Sequence, residues 1–325
     1  MKLIDLIYEY LECVKYSLKQ RSLIDYRQNI NCYIRYEIGQ EEIECLDNEK
    51  LNVFILSKYR GYSASGTLAY NTLNTTKSII NKSLKYGYEK GYNPQNIRIT
   101  VNFKKDSISK VESLTNKEAL SVENYILSKK KFYSYGVILS MYTGLRIGEL
   151  LALKWQDVDL KNKIMSVTAT ACDIALENKM YHLEDTPKSE SSLREVPLTN
   201  EIIELLYEMK KYQNNNSKYV IARPSGKRIF IRAYQESFER LLKRLKIRHY
   251  GFHSLRHTFA TRCYKLGMDI KTLSELLGHS SPAITLKIYV HTDLDTKRNA
   301  LNQITKKIRQ KSAWKYFKII HLLFY

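Results

Sequence analysis

At 325 residues the chain is too long for one small core and predicts two domains of ordinary size, and a hydrophobic share of 44% spread along it excludes wholesale disorder. Lysine and arginine total 53 against 33 acids, and the resulting formal charge of +20 points to a polyanionic partner, either nucleic acid or an acidic membrane surface. The five cysteines, Cys13, Cys32, Cys45, Cys172 and Cys263, are odd in number and show no CxxC spacing, which excludes a disulfide framework or zinc ribbon and makes a reducing cytoplasm the expected compartment.

The N-terminus, MKLIDLIYEYLECV, mixes charge with apolar residues and lacks both an uninterrupted hydrophobic segment and a small-residue cleavage site, so no signal peptide is expected. No stretch is long enough to span a bilayer; the apolar end YFKIIHLLFY is about half the necessary length. LIDLIYEYLECV, SLIDYRQNINCYIRYEI, KLNVFILSKYR and LAYNTLNTTKSIINKSLKYGYEKGY carry helical periodicity and predict four or five amphipathic helices. From Asn93 to about Lys110 the text turns polar and irregular, with Pro94 discouraging helix, and reads as a linker. A new helix is expected at LTNKEA, where Thr115 and Glu118 form the reciprocal capping pattern. KIMSVTATACDIAL is rich in β-branched residues, and YHLEDTPKSESSLREVPL reads as two short strands around a polar turn, Pro197 favouring an edge for the last of them.

Three later motifs carry chemistry. TGLRIGELLALKW places Arg146 and Glu149 three apart on one helical face behind Gly144; taken alone, the pair reads as an exposed ion pair. HSLRHTFAT sets His253 and His257 four apart, the grip a zinc protease uses, but the acidic second residue is missing and Arg256 between them would repel a cation. His253 and Arg256 share one face of that helix, while Leu255 and Phe259 share another suited to a core. LLGHSSPAITLKIYVH stops a helix at Gly278, offers His279 and restarts at Ser281–Pro282, with Tyr289 on the new helix. Each has a plain alternative: one tyrosine of 26 is packing, His257 is a satisfied core residue, Lys188 is a solvated loop charge.

Taken in order, the arginine of GLRIGELLAL, the lysine of the turn before SLREVPL, HSLRHTFAT, LLGHSSP and the tyrosine before Val-His resemble the tyrosine recombinases, the phage integrase family. The resemblance covers nearly the whole chain and implies a mainly α fold. Residues 1–100 would form a helical, SAM-like core-binding DNA-binding domain, 101–112 a linker, and 113–310 a mixed catalytic domain with a small three-stranded antiparallel sheet. In the tail, 311–325, Trp314, Phe317 and Leu322 would be buried against a neighbouring subunit, or the tail would fold back on its own domain or form a poorly ordered extension. With the chain expected to begin directly at the core-binding segment, and no additional arm-binding module expected, the arrangement resembles the simpler two-domain Xer-like or small integrase one.

What the resemblance implies chemically is a DNA strand transfer through a 3′-phosphotyrosyl bond. Tyr289 would be the nucleophile, Arg146 and Arg256 the grips on the non-bridging phosphate oxygens, and His253 and His279 further hydrogen-bond donors. His253 is also the candidate acceptor of the tyrosine proton, Lys188 the general acid to the leaving 5′ oxygen, and Glu149 an orienting group. No metal, cofactor or ATP is implied. The expected partner is double-stranded DNA, bound partly through KSIINKSLK and ERLLKRLKIRHY, by a homotetramer on two recombination sites with an accessory directionality protein and no membrane. The protein would be cytoplasmic and nucleoid-associated in a prokaryote. Integration and excision of a mobile element is the favoured role, with Xer-like chromosome dimer resolution, DNA inversion and, more distantly, type IB topoisomerase-like relaxation as alternatives.

Overall fold

The computed structural model describes residues 1–61, 66–93, 95–103, 112–129, 134–176, 179–185, 192–212, 217–289 and, beyond these, 298, 301–302 and 304–305, with backbone alone at 175, 176, 179, 212 and 287–289. The chain divides into two compact units, Met1–Lys110 and Val111–Tyr325. Among the described residues no helix is long and apolar enough to cross a membrane.

The first unit is built from α1 (Leu3–Val14), α2 (Gln20–Tyr33), α3 (Asn48–Arg60) and α4 (Tyr70–Glu89). Its core follows from spacing. Leu3, Leu6, Ile7 and Leu11 of α1 recur at three and four residues and are buried, as are Leu73, Ile79, Ile80 and Leu84 of α4. Each such burial is worth roughly 1.5–3 kcal/mol against the exposed side chain. Asp47 caps α3 by accepting the Lys50 N–H at 2.7 Å. The polar text after Asn93 is not a free connection from its start: Ile97 and Ile99 are buried in this core, and Asn81 both donates to and accepts from the Ile99 backbone. Alternation in IRITV was the signal for it, apolar residues facing in and polar ones out.

The second unit begins with α5 (Asn116–Lys129), whose start has the expected reciprocal cap: the Thr115 N–H donates to Glu118 at 2.8 Å and the Glu118 N–H to Thr115 Oγ1 at 3.2 Å. There follow α6 (Tyr135–Thr143), α7 (Ile147–Ala152), α8 (Asn200–Tyr212), α9 (Ile231–Arg244), α10 (His253–Lys265), α11 (Ile270–Leu277) and α12 (Pro282–Tyr289). Between α7 and α8 run β1 (Val158–Asp159), β2 (Ile164–Val167), β3 (Thr170–Leu176), β4 (Lys179–Asp185) and β5 (Arg194–Pro197).

The unit is thus mainly helical with a three-stranded antiparallel sheet, order β1-β2-β5, and a separate antiparallel hairpin, β3-β4. Pro197 does lie on an edge strand, opposite Ile164. The two strands read around the polar turn are both present but do not pair with each other. YHLED pairs back onto β3 and REVP onto β2, because the β-branched run is broken at Thr168–Ala169 and its halves serve different partners.

Candidate active site

Two glycine-terminated helices set the geometry. After α6, Gly144 takes a left-handed φ of 69°, and a Cβ there would lie 2.6 Å from Phe259 Cδ1 and 2.9 Å from Leu277 Cδ2, so only glycine fits on both counts. After α11, Gly278 does the same with φ 62°, ending the helix where the sequence predicted.

Arg146 stands just before α7 in extended conformation, as the residue that caps it. Glu149, three residues on, accepts the Arg146 N–H at 3.0 Å through Oε2 and the Arg146 guanidinium at 2.6 Å through Oε1. The pair is therefore not the exposed one the local sequence suggests: the Glu149 side chain is only 3% exposed, while Arg146 keeps 34%. Burial alone would raise the Glu149 carboxyl, but the hydrogen bonds and charge of Arg194, then the charge of Arg146, hold it below its ordinary value.

The end of α11 gathers three guanidinium groups. Its last carbonyls would lack partners inside the helix, and they carry the negative end of the helix dipole. Arg194 Nε donates to the Leu276 carbonyl at 2.7 Å, Arg256 Nη2 to that of Leu277 at 2.6 Å, and Arg146 Nη2 to that of Gly278 at 3.2 Å. Arg256 also donates to the Gly144 carbonyl at 2.9 Å, which ties the two glycine turns together. Its position on α10 leaves it 1% exposed, so it belongs to the buried frame more than to the solvent-facing side of HSLRHTFAT.

Histidines complete the cluster. His253 opens α10, its ring set edge-to-face against that of His257 at 4.6 Å between centroids. The protein surrounding it and the cations of Arg256 and Arg146 push it down to about 4. His279 follows Gly278 directly, its Nδ1 lying 2.8 Å from the buried Thr285 hydroxyl of α12. Burial, then Arg256 and Arg146, push it down to about 4 as well. His257 is lowered to about 4 by burial, then by His253 and Arg256. At these values all three imidazoles are neutral at pH 7.

Of the residues singled out from sequence, the structure brings Arg146, His253, Arg256 and His279 together, with Glu149 beneath Arg146. Tyr289 is the last residue of α12, and its side chain lies outside the described residues. Lys188 falls between β4 and β5 and lies outside them too, as does the tail with Trp314, Phe317 and Leu322. The basic stretches are partly engaged already: Lys77 donates to the Val101 carbonyl, Arg244 to Tyr125 and Arg248 to Glu112.

Sequence reasoning missed Arg194 and Thr285. Arg194 stands in SLREVPL, and strand alternation puts it on the same face as Val196, which is buried; an arginine there needs an acid, and Glu149 supplies it at 2.9 and 3.2 Å. Thr285 had no comparable signal. Among the described residues no group of three or more His, Cys, Asp or Glu side chains could hold a metal ion.

Comparison with known proteins gives a consistent set of similarities. The family model described as "Phage integrase family" matches residues 102–295. A tyrosine recombinase XerC-like protein of Caldanaerobacter subterraneus subsp. tengcongensis is 26% identical over 92% of this chain and 82% of its own length. The integrase of Staphylococcus phage L54a is 26% identical over 81% of this chain and 80% of its own. The transposase of transposon Tn916 from Enterococcus faecalis is 24% identical over 75% of this chain, which spans 64% of that protein, under two thirds of it. Among solved structures, the Tn1549 transposon integrase in complex with circular intermediate DNA has a TM-score of 0.75 at 21% identity, covering 94% of this chain and 100% of its own. A lambda integrase tetramer bound to a Holliday junction has a TM-score of 0.67 at 18% identity, covering 91% and 80%. The structural likenesses carry the fold.

Proposed function

The chain belongs to the phage integrase family of site-specific recombinases, and we propose that the cluster at the end of α11 is where its DNA strands are cut and rejoined, with Tyr289 as nucleophile. The observation that carries this reading is the convergence of Arg146, Arg194 and Arg256 on three successive carbonyls, Leu276 to Gly278, beside two neutral histidines. Three guanidinium charges against the single carboxylate of Glu149 leave a surplus of two positive charges among these four residues. A phosphodiester carries one negative charge and its pentacoordinate transition state about two, so fixed cations of this sum stabilise the transition state more than the ground state.

In this reading Arg146 and Arg256 hold the non-bridging oxygens of the scissile phosphate. The Tyr289 hydroxyl attacks phosphorus, its proton passes to the neutral His253 imidazole, and the P–O5′ bond breaks as Lys188 protonates the leaving 5′ oxygen. His279, oriented by Thr285, donates to the same phosphate. The 3′-phosphotyrosyl bond keeps the free energy of the broken linkage, and a 5′-hydroxyl from a partner strand reverses the step. No ATP or divalent cation takes part.

The substrate is double-stranded DNA. A homotetramer on two sites fits, on the precedent of the lambda integrase tetramer. The tail, 311–325, is assigned either to contacts between subunits or to its own domain, and an accessory protein is proposed to set direction. The compartment is the cytoplasm, at the nucleoid. Integration and excision of a mobile element is favoured, since the phage L54a integrase and the Tn916 transposase are among the relatives. The XerC-like relative, matched over 92% of this chain, supports chromosome dimer resolution as the second reading. Trapping on a nicked DNA duplex should give a covalent protein–DNA complex that Tyr289→Phe abolishes; a complex that persists in that variant overturns the assignment. Exchange between two duplexes separates a recombinase from a topoisomerase, and sequencing the DNA bound in cells separates mobile-element ends from chromosomal sites.

A further inference from the structure

We infer that Arg194 is a positioning residue for strand cleavage: by taking up the charge of Glu149, it leaves the Arg146 guanidinium free to act on the phosphate. The inference rests on the reading of Arg146 as a phosphate grip. Glu149 is deeply buried, with each oxygen in contact with both arginines. Oε1 accepts from Arg146 Nη1 at 2.6 Å and Arg194 Nη1 at 3.2 Å, while Oε2 accepts from the Arg146 backbone at 3.0 Å and Arg194 Nη2 at 2.9 Å. Arg194 thus meets the carboxylate with both ends of its fork, and Arg146 spends only one guanidinium nitrogen on it.

Were Arg194 absent, the only guanidinium on Glu149 among the described residues would be Arg146. A buried carboxylate left with one cation draws that cation into a two-point pair, and its charge cancels the field the cation would present to a ligand. Arg194 gives Nε to the Leu276 carbonyl, Nη1 to Glu149 and the Ser192 carbonyl and Nη2 to Glu149, so all three of its nitrogens are engaged and it cannot take the place of Arg146 at the phosphate. Lysine could not do this work, because a single ammonium cannot span both carboxylate oxygens and the Leu276 carbonyl in one plane.

The test compares single-turnover cleavage of a scissile phosphodiester with that of a methylphosphonate, which has lost the negative charge the arginines must balance. Arg194→Gln should slow phosphodiester cleavage about 100-fold, as expected for a misplaced catalytic group, with DNA affinity unchanged and the deficit mostly gone on the methylphosphonate. Equal deficits on both substrates overturn the inference, since a merely structural role lowers both alike. Should Arg194→Gln fail to fold, Arg194→Lys keeps the charge and loses the fork; a loss of about 10-fold confined to the phosphodiester supports the inference, and an equal or absent loss overturns it. Arg146→Ala is the control. If its own deficit is not relieved on the methylphosphonate, the reading of Arg146 is what fails; if it is relieved and that of Arg194→Gln is not, the positioning role is what fails.

Discussion

Two buried ionic clusters in the second unit use similar side chains to different ends. At the close of α11, Arg146, Arg194 and Arg256 gather on three successive carbonyls, Glu149 meets the first two, and Arg146 reaches solvent. Beneath the β3–β4 hairpin, Asp173 accepts from Arg228 at 2.8 Å and from the Ile231 N–H at the start of α9, with His182 at 3.2 Å. There, among the described residues, Asp173 pairs with Arg228 and both are buried. His182 is lowered by burial, against the raising hydrogen bond of Asp173, and its ring stacks on Phe230 at 3.8 Å. The second cluster closes its charge account internally and can only hold the hairpin; the first keeps a surplus that needs an anion from outside. A buried ion pair alone is weak evidence of function, whereas a buried cluster with surplus charge and an open side is strong evidence.

The largest expected effect comes from the surplus cluster. Arg256→Lys keeps the charge but cannot bond the Gly144 and Leu277 carbonyls together while facing a phosphate. Cleavage should fall about 1,000-fold, the upper range for loss of one transition-state donor, with binding of the DNA site retained; a variant within about 10-fold of the parent would break the contrast. The opposite pattern is expected at the balanced cluster. Asp173→Asn strands Arg228, whose Nε and Nη1 already lack partners among the described residues, and should cost about 3 kcal/mol in urea unfolding. Cleavage per folded molecule should stay unchanged, and a selective catalytic loss there would erase the distinction between the clusters.

That distinction was only half legible in the sequence. What is local could be read: the spacing in α1 and α4, the Thr115–Glu118 cap, the stop at Gly278 and the restart at Ser281–Pro282 all depend on residues within a turn or two of one another. What depends on closure of the chain could not. Glu149 meets Arg194 across 45 residues, and Arg146 meets the Gly278 carbonyl across 132. The i,i+3 pair Arg146–Glu149 accordingly looked like a surface ion pair, since nothing in GLRIGELLAL says that β5 and α11 will cover it. Strand partnering failed for the same reason, because composition marks a strand without naming its neighbour.

The smallest effect expected, and the one that separates the clusters without a mutation, is in the histidines. His253, His257 and His279 fall to about 4 in the folded protein from an ordinary value of 6.5. A folded-state value below the unfolded one means the unfolded chain binds protons first as pH drops. Their contribution to stability is therefore complete above about 6.5 and is lost as pH falls from there toward about 4. A phosphate placed between Arg146 and Arg256 reverses part of this, because its negative charge offsets the two cations that depress His253 and His279. Binding of a DNA site should then raise the midpoints of these two histidines in an NMR titration from about 4 and draw protons from solution just above that pH, while His182, held by Asp173 and Arg228, keeps its midpoint. Equal movement of His182 and His279 would mean that DNA acts through a general change in the unit, and that the surplus charge at the end of α11 is not what receives the phosphate.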